Sequence, residues 1–238
     1  MGKHLIVNAD DFGASRGVNR GIIEAHTNGI VTSASMMVTG RAVKEAVSLS
    51  REHPTLSVGL HWDVWGEDER EFDIHDVPAV RVEFQRQLDE FQRLMGGLPT
   101  HIDTHRHAHF FEHLTPVFEE LVAPLDRPLR GSSKVRFVGG FYAHWEWLDD
   151  DLEPVIDHDL EHVSVAYLEK LLRDEIGEGW TELSCHPGYV TDDYRAVYLS
   201  EREAELTTLT HPRAKEVLDE LGIQLVSYHD LLDASSAS

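Results

Sequence analysis

His4-Leu-Ile-Val-Asn-Ala-Asp10, followed at once by Asp11-Phe-Gly13, is the stretch whose reading decides the fold. A strand with one wet face alternates apolar and polar residues. The unbroken Leu5-Ile-Val7 run instead predicts a strand buried on both faces, as in a parallel sheet covered by helices. Gly13 marks a turn, Ser15 is placed to cap a helix, Val18, Ile22 and Ile23 share one helical face, and Gly29 lies past its end. Neighbouring carboxylates on a regular strand point to opposite faces. Asp10 and Asp11 therefore share a site only where the strand turns at Phe12-Gly13.

The same strand–helix alternation continues outward. Val31 to Val38 is a second strand, and Ala42, Val43, Ala46, Val47 and Leu49 line a helix stopped by Pro54. Ser57 to Trp62 is a third strand. Phe84, Leu88, Phe91 and Met95 form the apolar stripe of a helix closed by Gly96-Gly97. Thr115-Pro116 offers an N-cap and first-turn proline for the next helix. Residues 129 to 140 hold a strand and a loop, and 141 to 163 carry little pattern. Val165 to Ile176 is helical, Trp180 to His186 a strand, Ser200-x-x-Glu203 a capping box, Ala214 to Leu221 a helix, and Ile223 to Tyr228 the last strand. These βα units predict an α/β fold, a TIM-barrel-like (β/α) barrel. No repeat or linker divides it, so residues 1–233 are read as one domain and 234–238 as a flexible small-residue tail.

Thr100-His-Ile-Asp-Thr-His-Arg-His-Ala-His109 concentrates imidazole and carboxylate on odd positions. An extended strand places His101, Asp103, His105, His107 and His109 on one face, although Arg106 on the other argues that the strand ends near His105. Four strands thus end in chemically able residues: Asp10-Asp11, His61-Trp62-Asp63, His105 and His186. Parallel barrels build their active sites at that rim. Singly, each residue has a plain alternative, since an Asp before a helix caps it and a strand-end His is usually a satisfied hydrogen bonder. Together they supply what metal-assisted hydrolysis needs: three ligands with an open position, a base near the water, and an acid for the leaving group.

The chain has 238 residues, 41% of them hydrophobic, and a formal charge of −22 from 21 Lys and Arg against 43 Asp and Glu. Phosphate and anionic membrane surfaces select clustered Lys and Arg, so nucleic-acid and membrane partners are not expected. The single cysteine, Cys185, forms no internal disulfide and fits a reducing compartment. No leader-like or membrane-length apolar run occurs, and a cytoplasmic location is expected. A homodimer is compatible with all of this.

Leu5-Ile-Val-Asn-Ala-Asp-Asp-Phe-Gly13, Gly29-Ile-Val-Thr-Ser33, Gly59-Leu-His61, Thr100-His-Ile-Asp-Thr-His105 and Cys185-His-Pro187 follow one another in an order and spacing that resembles the YdjC-type carbohydrate deacetylases, which include chitooligosaccharide deacetylases. The resemblance covers most of the chain. It implies an incomplete barrel of about seven parallel strands that removes the acetyl group from an N-acetylated amino sugar or oligosaccharide. It also implies one divalent ion, Mg²⁺ in that family, while mixed oxygen and nitrogen ligands also admit Zn²⁺, Mn²⁺ or Co²⁺. Asp11, His61 and His105 match the family's metal ligands, Asp10 its general base and His186 its acid or oxyanion partner. Arg130 falls where a family arginine follows a strand, either orienting a carboxylate such as Asp10 or contacting substrate. After His61 the chain departs from the family with Trp62-Asp-Val-Trp-Gly-Glu-Asp-Glu-Arg70. Trp62 and Trp65 are candidate sugar-stacking residues there, with core packing the alternative; Tyr142, Trp145 and Trp147 stand in the same position. The rival readings are another metal hydrolase on this barrel, acting on a phosphoester or non-sugar amide, and a non-catalytic sugar- or metal-binding protein.

Overall fold

A computed structural model describes residues 2–66, 71–148, 154–192 and 196–236. In chain order the elements are β1 (Lys3–Phe12), α1 (Arg16–Asn28), β2 (Ser33–Met36), α2 (Val43–Glu52), β3 (Ser57–Trp62), α3 (Val77–Met95), β4 (Ile102–Thr104) and α4 (Thr115–Val122). There follow β5 (Arg136–Val138), β6 (His144–Leu148), β7 (Pro154–His158), α5 (Val165–Glu175), β8 (Gly179–Cys185), α6 (Ser200–Leu209), α7 (Pro212–Leu221), β9 (Ile223–Leu225) and α8 (Tyr228–Ser236). Short 3-10 turns follow β4, α4 and β7. Seven strands form one parallel sheet in the order β4-β3-β2-β1-β8-β5, with β9 paired to the start of β1; β6 and β7 form a separate antiparallel hairpin. The sheet curls into an incomplete barrel, as expected.

The position of β1, between β2 and β8, accounts for its unbroken apolar run. Leu5, Val7 and Ala9 join the main core, while Ile6 belongs to a second cluster with Val135, Val226, Tyr228 and Leu231. On the Ile6 side the strand continues as Asn8 and Asp10, and the residues in register with this face are polar or small. Asn8 pairs with Ser33 and Ser184, Ser33 with Ser57, Ser35 with Gly59, and His61 with Asp103. Serine and glycine leave room for the large groups placed among them. A Cβ on Gly59 would lie 2.4 Å from the His101 ring, which stacks on Tyr228 at 3.9 Å. The barrel interior is thus buried and polar, and every polar group in it needs a partner.

Several local expectations change. The second strand shrinks to Ser33–Met36 and the histidine-rich strand to Ile102–Thr104. After Thr104 the chain turns through Arg106 and His107 at φ +52° and +50°, which breaks the strand alternation. The last strand stops at Leu225, because Tyr228 turns inward to donate to Glu182 at 2.6 Å and heads α8. That helix takes in Ala234 to Ser236, the start of the expected tail. Ser15 caps α1 as expected, accepting from Val18 N at 3.1 Å. Ser200 and Thr115 instead sit inside the first turns of α6 and α4. The Glu203 side chain accepts from Val190 N rather than closing a capping box.

Candidate active site

Asp10 and Asp11 reach the same site because the strand deforms at Asp11 itself. Its φ is +68°, and the register against β2 shifts between Ala9 and Phe12. Left-handed backbone is unfavourable for residues with a Cβ, though Asp and Asn tolerate it best. The kink rotates the second carboxylate back beside the first, one residue earlier than the expected turn.

Asp11 Oδ1 lies 3.4 Å from His61 Nε2 and 3.3 Å from His105 Nδ1, and the two imidazole nitrogens are 3.4 Å apart. Ligands held about 2.0–2.2 Å from a metal ion are spaced much like this. Asp11 Oδ1 is buried, and its near neighbours at the triangle are these two imidazole nitrogens. His61 is oriented by Asp103, whose Oδ1 lies 2.5 Å from Nδ1, so that Nε2 faces the triangle. A carboxylate behind a ligating imidazole is the usual support of a metal site. The donor set therefore fits a divalent cation held by Asp11, His61 and His105. Burial opposes a charge on His61, but Asp103, with Asp11 and Asp10, raises its pKa well above the usual imidazole range. A cation bound by these residues would compete with that proton for the imidazole.

Beneath this triangle lies Arg130, 1% exposed. Its Nη1 and Nη2 donate to Asp10 at 2.7 and 2.6 Å, Nη2 is 2.8 Å from Asp103, and Nε donates to Glu182 at 2.8 Å. Asn8 Nδ2 adds a bond to Asp10 Oδ1 at 2.9 Å. Burial pushes the Asp10 carboxyl up, but Arg130, helped by His61 and His186, outweighs it and keeps the group well below the usual carboxylate range. Burial wins at Glu182, whose pKa is raised despite the same arginine. Asp11 has its own cation: Arg202 of α6 donates to Oδ2 at 2.5 Å, and against the burial penalty it holds that carboxyl low.

His186 follows β8 with Nε2 3.8 Å from Asp10 Oδ2 and Nδ1 3.8 Å from Glu205 Oε1. Its backbone N–H donates to Glu205, which also accepts from Tyr198 at 2.5 Å. Burial disfavours the imidazolium, yet Glu205 and the two aspartates raise its pKa above the ordinary value. The Tyr142 ring, stacked on Tyr198 at 4.5 Å, stands 5.1 Å from His186.

Of the residues singled out from sequence, Asp10, Asp11, His61, His105 and His186 converge here. The rest divide. Trp62 is fully buried and packs edge-on against Phe118 and Phe72, which removes it from any substrate surface. Its parity explains this: in β3 it faces opposite to His61. Arg130 is likewise no substrate contact, being enclosed behind Asp10. Trp65 is half-buried with the Arg106 guanidinium 5.5 Å over its ring. The side chains of Trp145 and Trp147, and residues 67–70 of the loop after His61, lie outside the described residues. His101 and His109 are buried among Tyr228 and Thr104 rather than ranged along the site, and burial drives both pKa values down to about 3. Cys185 is core, its thiol against the Asn8 carbonyl. Sequence reasoning missed Arg202, Glu205 and Glu182, whose roles depend on long-range pairing; Asp103 was visible, since it shares parity with His105.

The model of the YdjC-like protein family matches residues 4–220. Chitooligosaccharide deacetylases of Proteus mirabilis (strain HI4320) and Serratia marcescens are each 32% identical to this chain, over 98% and 97% of it respectively and the whole of their own length. Among solved structures, a putative cellobiose-phosphate cleavage protein from Enterococcus faecalis V583 superposes with a TM-score of 0.74 at 26% identity, covering 97% of this chain and 99% of that one. A family 4 carbohydrate esterase from Streptomyces lividans shares the fold, with a TM-score of 0.57 at 13% identity over 95% and 94% of the two chains. Among the described residues no helix is long and apolar enough to cross a membrane.

Proposed function

The chain belongs to the YdjC-like family, and from that premise we propose that it is a carbohydrate deacetylase, a hydrolase that cleaves the amide C–N bond of an N-acetylated amino sugar. The observation that carries the reading is the arrangement of donors: Asp11, His61 and His105 at 3.3–3.4 Å from one another, with Asp10 and His186 facing each other alongside. Asp11, His61 and His105 would hold one divalent ion, of which Mg²⁺ is the family's expectation. When bound, such an ion lowers the pKa of water and polarises a carbonyl oxygen.

The remaining work falls to the chain. Asp10 accepts the proton of the attacking water. Each carboxylate oxygen has about two lone-pair directions; Asp10 Oδ2 accepts one bond from Arg130 and lies 3.8 Å from His186 Nε2. Arg130 keeps Asp10 ionised and fixed in plane, at the cost of basicity. His186 gives a proton to the departing amine, which leaves poorly as an anion. Glu205 keeps His186 protonated, while Arg202 and Asp103 hold Asp11 and His61 in position. An N-acetyl sugar panel scored for acetate release tests the reading against the phosphoesterase alternative, which would instead release phosphate from aryl phosphates. No acetate from any N-acetylated sugar, with metal supplied, would overturn it.

A further inference from the structure

A second convergence of metal-ligating side chains lies outside the site just described, at the base of the β6–β7 hairpin. His144 and His158 are directly opposite one another in the antiparallel register, and their rings meet edge to face at 3.9 Å. Opposed residues on paired strands hold their Cβ atoms about 5 Å apart on one face, so two imidazoles there form a ready-made pair. Glu201, in the first turn of α6, meets both: Oε1 is 2.8 Å from His144 Nε2 and 3.0 Å from His158 Nδ1. The three donor atoms lie within 4.8 Å of one another. The other carboxylate oxygen is anchored by Leu199 N at 2.9 Å and Ser200 Oγ at 3.3 Å. His144 and Glu201 are 8% and 6% exposed, while His158, at 51%, leaves one side open to solvent.

We propose that His144, His158 and Glu201 form a second divalent-metal site, of the kind that takes Zn²⁺. Two imidazoles and one carboxylate, with an open fourth position, are a recognised zinc ligand set, and imidazole favours Zn²⁺ over Mg²⁺. Two rings converging on a single carboxylate oxygen enclose a point that a cation would share. The bound ion ties the hairpin to the helix that delivers Arg202 to Asp11 and Glu205 to His186, so it braces the active site from outside. The site stands whether or not the chain is a deacetylase.

The test counts Zn²⁺ on the full-length protein after chelator treatment, dialysis and titration against a chromogenic chelator. His105→Ala empties the first site and His158→Ala the second; His158 is exposed enough for its loss to leave the fold intact. His105→Ala should retain one equivalent of Zn²⁺, and the double variant should retain none. His158→Ala should weaken the second equivalent by about 100-fold or more, at least as much as the loss of an outer-shell partner usually does. Zn²⁺ should raise the melting temperature of His105→Ala and leave the double variant unmoved. A His105→Ala protein that binds no Zn²⁺, or a double variant that still binds one equivalent, overturns the proposal. Should the wild type bind a single equivalent that His105→Ala keeps and His158→Ala loses, the hairpin site stands and the assignment of the first site fails.

Discussion

Replacing Glu205 by Gln removes one charge from the pair that is argued to keep the catalytic acid protonated, while preserving size and an oxygen acceptor. His186 Nδ1 and Glu205 Oε1 are 3.8 Å apart. Two unit charges at that distance interact by about 1 kcal/mol in water and about 4 kcal/mol at an effective dielectric near 20. Losing that attraction lowers the His186 pKa, since Glu205 is the largest influence favouring its charged form. Asp10, at 3.8 Å on the other side, still supports the imidazolium. The direction is definite. An acid is active below its pKa, so activity is lost as pH rises through it, and a depressed pKa moves that loss to lower pH. The assay is kcat/KM for acetate release across a pH range, with circular dichroism confirming the fold. The alkaline limb should shift to lower pH. An unmoved alkaline limb in a folded, metal-loaded variant would refute the acid role of His186.

Further outcomes follow from the same geometry. His186→Ala should keep its metal and lose most activity on an N-acetyl sugar but much less on an aryl acetate ester, whose phenolate departs without a proton; equal losses on both would transfer His186 to oxyanion stabilisation. Asp10→Asn should hold metal near the wild-type level with turnover down by about 10²–10⁴-fold, and loss of metal would make Asp10 a ligand instead. Chelation should inactivate the enzyme reversibly, and full activity of metal-free protein would end the metal assignment. Trp62→Ala should destabilise by about 3–5 kcal/mol through an empty core volume, read from a denaturation midpoint, with KM little changed; a raised KM at normal stability would restore Trp62 to the sugar pocket.

The legible part of the site came from parity and strand ends. Asp10, His61, Asp103 and His186 each fall where a two-residue period predicts a common inward face, and strand termini of a parallel barrel share one rim. Parity was also sufficient to count Trp62 outward, opposite His61, which decides for core packing over the sugar stacking that the altered loop had left open beside it. The rule holds only while the backbone stays extended; Arg106 marked the end of the strand near His105, and the chain does leave it after Thr104, so His107 and His109 fall outside the alternation.

By itself, then, the sequence determined the parallel α/β architecture, which strands end in chemically able residues, and the identity of the five convergent residues. These are local properties, written in hydrophobic period, turn residues and the residue types at strand ends. Only the tertiary structure decided how those residues are held. Arg130 reaches Asp10, Asp103 and Glu182 from positions scattered along the chain, and Arg202 is separated from Asp11 by most of its length. No period in sequence encodes such pairings, which arise because buried carboxylates must find a cation wherever packing brings one. The left-handed turn at Asp11 is of the same kind: its backbone cost is met by contacts with Arg202, His61 and His105 that exist only once the barrel has formed.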